Sequence, residues 1–176
     1  MTAAEKEYGS ALYALAAEEH CEEEALEGLA LAAGAFSSQP EYRRLVQNPA
    51  LPAAERLGLL DEAFGGVHPY VLNFLKILCE KSALGLLDGC LAQYRALHYE
   101  AKGILPVEAV SAVPMTQDQL AALQKKLEGQ TGMSVLLENR LDPGVLGGVK
   151  LRYSGRELDG TASGRLAALR RVLLDA

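Results

Sequence analysis

The sequence holds no Trp, and only three Phe, three His and three Cys among 176 residues. Aromatics make up 6% of the chain and hydrophobic residues 49%, so a core here is mostly Leu, Ala and Val. The cysteines, Cys21, Cys79 and Cys90, are odd in number and show no C-x-x-C spacing. That fits a reducing compartment with thiols as small apolar fillers. Long hydrophobic runs are missing too. The longest stretch of low charge, Gly28 to Pro40, falls short of the roughly 20 apolar residues a membrane span needs. The first residues are polar, with Glu5, Lys6 and Glu7, and lack a signal-peptide pattern. A soluble chain without direct membrane insertion is expected.

Positive charge is scarce in the first part of the chain. Residues 1–104 carry 8 Lys/Arg against 15 Asp/Glu, a net −7, and residues 105–176 carry 9 against 8, a net +1. An acidic N-terminal part argues against nucleic acid as the main partner. Catalytic motifs are also lacking: there is no nucleophile elbow, no H-E-x-x-H and no paired His. His20-Cys21-Glu22-Glu23-Glu24 reads as a solvated helix start, because adjacent helical residues point different ways and no second His/Cys cluster is near in sequence. His68 precedes a helix-starting Pro and reads as a surface or capping residue. Gly144-Val145-Leu146-Gly147-Gly148 lacks the Lys-Ser/Thr of a phosphate loop and leads into a strand. Asp142 and Asp159 lie at turns, where Asp caps backbone groups. No catalytic residue, metal site or cofactor is expected.

What is present is helical periodicity. Ala3 to Glu19 has Tyr8, Ala11, Leu12 and Leu15 at i, i+3, i+4 and i+7. Ala14, Ala16 and Ala17 make it apolar over more than one face, so it is either a central core helix or one that offers a second face to a partner. A second helix runs from Glu22 to about Phe36, a short third from Glu41 to Gln47 behind Pro40, and a fourth from Pro52 to the Gly65-Gly66 stop. Leu57, Leu60, Ala63 and Phe64 are expected to face inward on that fourth helix. The fifth, Pro69 to Lys81, has two apolar stripes, Val71/Phe74/Leu75/Leu78 and Tyr70/Phe74/Ile77. One suits a core and the other a partner helix. The sixth runs from Leu86 to Gly103. The predicted fold is mostly α, with an N-terminal six-helix bundle over residues 1–104.

The pattern changes after Gly103. A strand is expected from Leu105 to Ala112, then a helix from Gln117 to Gly129. Thr116 is its N-cap candidate, and Gln119 completes a capping box. Met133 to Arg140 reads as a strand. Leu141-Asp142-Pro143-Gly144 is a turn, and Val149, Leu151 and Tyr153 alternate with Lys150, Arg152 and Ser154 as in a strand with one apolar face. Ser154-Gly155 turns the chain into a short return strand, Arg156-Glu157-Leu158. A last helix carries Leu166, Leu169, Val172 and Leu173 on one side, and Arg165, Arg170 and Arg171 as a solvated or partner-facing side. Residues 105–176 are thus a small α/β domain with a β-hairpin.

That closing stretch resembles the C-terminal signature of the delta subunit of F-type ATP synthases, the bacterial counterpart of the mitochondrial oligomycin-sensitivity-conferring protein. Asp142, Pro143, Leu146, Gly147, Gly148, Val149, Asp159, Gly160, Arg165 and Leu166 match it in spacing, and Thr161 replaces the usual Ser while keeping a capping hydroxyl. Tyr8-Gly9-Ser10-Ala11-Leu12-Tyr13-Ala14-Leu15-Ala16 is similar to that family's first-helix pattern, Tyr-Ala-x-Ala-Leu-aromatic-x-x-Ala. Asn73 to Glu80 is similar to its fifth-helix pattern. After it the chain departs: Lys81-Ser82-Ala83-Leu84 lacks the family's Arg.

The resemblance implies a non-catalytic stator subunit that ties the catalytic head to the peripheral stalk. Ion-driven rotation, by protons or sodium ions, is thereby coupled to ATP synthesis. By the same resemblance, residues 1–104 hold the N-terminal helix of an alpha subunit in a groove between the first and fifth helices. Tyr8, Ala11 and Ile77 match groove positions, and helical phase adds Leu12, Leu15, Tyr70 and Phe74. Residues 105–176 would meet the C-terminus of stalk subunit b. The implied place is peripheral, on the cytoplasmic face of the cell membrane. Two other readings are a helical adaptor unrelated to ATP synthase, and a small phosphate-handling enzyme using Gly147-Gly148 and Arg165.

Overall fold

The computed structural model describes residues 1–145, 147–153 and 156–160. The chain divides into two compact units, Met1–His98 and Tyr99–Ala176. Among the described residues it is mostly helical, with seven α-helices and one small four-stranded sheet.

The helices are α1 (Ala3–Glu18), α2 (Glu22–Ser38), α3 (Pro40–Val46), α4 (Ala53–Phe64), α5 (Pro69–Glu80) and α6 (Leu87–Ala101), the last preceded by a 3-10 turn at Leu84–Leu86. Local chemistry sets their ends. Thr2 starts α1 with a capping box: its hydroxyl accepts from the Glu5 N–H while the Glu5 carboxylate accepts from the Thr2 N–H. Pro40 and Pro69 occupy first-turn positions, where the missing N–H leaves no unmet bond. His68 caps α5 as expected, its ring nitrogen accepting from the Tyr70 N–H at 3.4 Å.

The core of the first unit is aliphatic with a few placed aromatics, as the composition requires. Ala16, Ala25, Leu29, Leu60, Val71, Leu75 and Leu78 are fully buried. Phe36 stacks on Tyr42 at 5.6 Å and tilts against Phe64 at 5.4 Å, and the Tyr42 hydroxyl donates to the Leu59 carbonyl at 2.8 Å. Tyr94 is fully buried, meets Tyr13 edge-on at 5.2 Å and donates to the Glu22 carbonyl at 3.0 Å. A buried phenol finds a partner here because an unmade bond inside a core is costly. The cysteines are the small fillers their spacing implied. All three are buried and free, and desolvation pushes each thiol up, Cys90 to about 11. One expectation fails: Ala63 is exposed, while Leu60 and Phe64 carry the inward face of α4.

The second unit contains β1 (Ile104–Ser111), α7 (Gln117–Thr131), β2 (Ser134–Leu141), β3 (Val149–Tyr153) and β4 (Arg156–Asp159), with sheet order β2-β1-β3-β4. β1 and β2 pair in parallel, which demands a crossover, and α7 supplies it. β3 runs antiparallel to β1 and to β4. Thr116 and Gln119 form the expected capping box on α7. Val107, Ala109 and Val135 are buried on the apolar side of the sheet. The other side carries a chain of charges across all four strands. Glu108 meets Arg140 at 3.3 Å and Arg152 at 3.6 Å, and Arg152 meets Glu157 at 2.8 Å. No helix among the described residues is long and apolar enough to cross a membrane.

Candidate functional site

Two places gather the residues that the sequence singles out: the surface between α1 and α5, and one end of the sheet. At the first, α1 is held from two sides. Toward α6 it presents Gly9, where a Cβ would lie 2.7 Å from the Cys90 carbonyl oxygen and 2.8 Å from Gln93 Cβ. Only a residue without a side chain allows that approach. Gln93 also donates to the Ser10 hydroxyl at 3.3 Å. Toward α5, Tyr8 meets Phe74 edge-on at 6.4 Å, and farther along Glu19 lies beside Tyr70. The two helices therefore run antiparallel.

The seven groove candidates divide by depth. Leu12 and Phe74 are buried at 4% and 7% exposure and belong to the core beneath the surface. Tyr8 and Tyr70 are half-buried. Ala11 is exposed, and Leu15 and Ile77 are open at 38% and 44%. So α1 has two apolar faces with different fates: Gly9, Leu12 and Ala16 are buried, while Ala11, Ala14 and Leu15 are not. Ala14, which the sequence marks as widening the apolar surface of α1 but not as a groove position, is open too; it follows Ala11 by three and so shares its side. Its open side chains, Ala11, Ala14, Leu15 and Ile77, offer apolar contact. Desolvation, then Glu19 through its charge and a side-chain hydrogen bond, push the Tyr70 phenol up.

At the sheet end the signature residues converge. The Asp142 N–H donates to the Ser111 carbonyl at 2.9 Å, and its carboxylate accepts from the Gly144 N–H at 2.9 Å, closing the turn through Pro143. Val145 is buried just after it. Gly147 and Gly148 have φ of 65° and 90°, a region that side chains oppose. The Gly160 N–H donates to the Val149 carbonyl at 3.1 Å, and a Cβ on Gly160 would come within 2.9 Å of that oxygen. Asp159 pairs in register with Lys150. The described part of the signature thus fixes how β3 enters the sheet. Arg165, Leu146, Thr161 and the Ser154-Gly155 turn lie outside the described residues.

Sequence reading missed Asn139. Its amide donates to the Ala109 carbonyl and the Ser111 hydroxyl, both at 2.8 Å, and its oxygen accepts from the Met115 N–H at 3.0 Å. It ties β2 to the end of β1 and to the approach of α7. An Asn within a predicted strand, where Asn is disfavoured, was the available signal.

The family model of the ATP synthase delta (OSCP) subunit matches residues 4–173. The chain belongs to this family. It is 33% identical to ATP synthase subunit delta of Synechococcus elongatus over 161 residues, covering 90% of this chain and 89% of that protein. It is 32% identical to ATP synthase subunit delta of Moorella thermoacetica over 164 residues, covering 93% and 92%. Among solved structures it is similar to a chain of the Toxoplasma gondii mitochondrial ATP synthase hexamer, with a TM-score of 0.76 over 99% of this chain and 98% of that one. At 24% identity that likeness speaks to the fold. Family membership makes the protein a subunit of an F-type ATP synthase, and its family is a structural one within that complex.

Proposed function

We propose that the chain is a non-catalytic stator component. It links the catalytic head to the peripheral stalk, so that rotation driven by protons or sodium ions is coupled to ATP synthesis. In this reading residues 1–104 act as a six-helix bundle that grips the head, and residues 105–176 meet the C-terminus of stalk subunit b. The subunit sits peripherally on the cytoplasmic face of the membrane, transfers load, and needs neither cofactor nor nucleic acid.

The observation that carries the proposal is the open apolar face of α1 beside α5. Ala11, Leu15 and Ile77 remain exposed above a floor of Leu12 and Phe74, in a chain of the delta family. The occupant is the N-terminal helix of an alpha subunit. α1 has 16 residues, about 24 Å, so a partner helix of similar length fills the groove. Small Ala11 and Ala14 let its backbone come close.

The test is calorimetric titration of the full chain with the N-terminal helix peptide of the alpha subunit from the same genome. Saturable one-to-one binding with a negative heat-capacity change is expected, as apolar burial gives. No binding by the folded chain would overturn the proposal. Ala11→Asp should weaken binding by roughly tenfold or more, since it leaves a charge unpaired in an apolar interface. Its helical circular dichroism should not change, because Ala11 is already exposed.

A further inference from the structure

β2 forms one edge of the sheet, and at eight residues it is a long edge. An edge strand offers a row of unpaired N–H and C=O groups to any chain that can lie along it. Two hydrogen bonds fix which groups these are. The Asp142 N–H donates to the Ser111 carbonyl of β1 at 2.9 Å, whereas the Val135 N–H turns away from β1 and donates to the Glu128 carboxylate of α7 at 3.2 Å. Alternate residues of a strand aim their backbone groups to opposite sides. Leu137, Asn139 and Leu141 therefore aim theirs outward, and the described residues place no strand beyond them. Edges are commonly guarded by charge. Here the edge charges are of opposite sign. Glu138 has no ion pair among the described residues, and Arg140, which meets Glu108 at 3.3 Å, still has a side chain 66% exposed.

We infer that β2 pairs antiparallel with β2 of a second copy of this chain, about a two-fold axis at Asn139. Outward groups must meet outward groups, so the axis falls on a residue and not between two. An axis on Glu138 sets Glu against Glu, and one on Arg140 sets Arg against Arg; like charges directly opposite are destabilising. An axis on Leu137 would need the Val135 N–H, which Glu128 already holds, and one on Leu141 runs past the end of the strand. An axis on Asn139 sets each Glu138 opposite the other copy's Arg140. It also sets each half-buried Leu137 opposite the other copy's Leu141, which is 51% exposed in the single chain. Leu137-Glu138-Asn139-Arg140-Leu141 thus complements itself when read backwards, as a two-fold interface requires. Charges of one sign would guard this edge, but alternating ones select a register.

Sedimentation of the full chain at rising concentration should show a reversible monomer–dimer equilibrium. At about 1 M salt, where charges are screened within about 3 Å, the association should weaken about fivefold, the scale of two exposed charge pairs. Leu141→Pro removes an outward N–H and leaves the ladder to β1 in place, because Pro is tolerated on an edge whose N–H faces solvent. It should abolish the dimer with an unchanged circular dichroism spectrum. Glu138→Arg and Arg140→Glu should each be monomeric alone, since each sets like charges opposite one another. Mixed in equal amounts, the two variants should form a dimer with one copy of each, because every facing pair is then of opposite sign. A merely structural role for either residue gives no such rescue. A parent chain that stays monomeric, a dimer that survives Leu141→Pro or either charge reversal, or a mixture that stays apart would overturn the inference. The reading of the α1/α5 groove is independent of all these outcomes.

Discussion

Gly9 shows how one residue sets a helix contact. The similar first-helix pattern of the delta family has Ala at this place, yet here a Cβ would sit 2.7 Å from the Cys90 carbonyl. Two effects compete in Gly9→Ala. Helix propensity favours Ala by up to about 1 kcal/mol. Overpacking against a backbone oxygen costs about 1–3 kcal/mol, because α6 must move rather than a side chain. Overpacking wins, and the variant should lose about 1–2 kcal/mol in urea denaturation. A more stable variant would mean that α1 and α6 are free to part. Gly9 was visible in the sequence as a departure from the pattern. That α6 lies against it was not, because 81 positions separate Gly9 from Cys90.

Elements were the most legible level. Pro40, Pro69, Thr2 and Thr116 act on neighbours within one helical turn, so their meaning is local, and six helices precede Gly103 close to where periodicity put them. The strands were also readable, because alternation marks a face without knowledge of the partner strand. The order β2-β1-β3-β4, with its charge chain across the polar side, was not in that pattern. Neither was the joint that Asn139 makes between β1, β2 and the entry to α7. Asn139→Ala removes the acceptor of the Met115 N–H and two donated bonds at once. It should destabilise the second unit by about 1–3 kcal/mol, with faster hydrogen exchange at the Met115 amide. An unchanged exchange rate there would show that the joint is held by something else.

At the scale of the whole molecule the two units have separate cores. That of the first runs from Leu12 on α1 to Tyr94 on α6, and that of the second is built on Val107, Ala109 and Val135. A chain cut after Gly103 should therefore keep its helical signal, melt cooperatively and bind the alpha-subunit peptide with the affinity of the full chain. An unfolded or non-binding fragment would show that the first unit depends on the second.

The sequence by itself determined the elements, the change from helices to a mixed sheet after Gly103, and the family, through residues whose spacing along the chain carries the resemblance. Periodicity, caps and turns are short-range, so one dimension suffices for them. Only the tertiary structure decided which apolar face of α1 stays open. Helical phase joined Leu12 to Ala11 and Leu15 as one stripe, and packing then separated them, burying Leu12 and leaving the others exposed. The physical reason is that burial depends on which distant helix arrives. Phase along one helix says which residues share a side, and only the helices packed against α1, α2 and α5 among them, fix which side is inside.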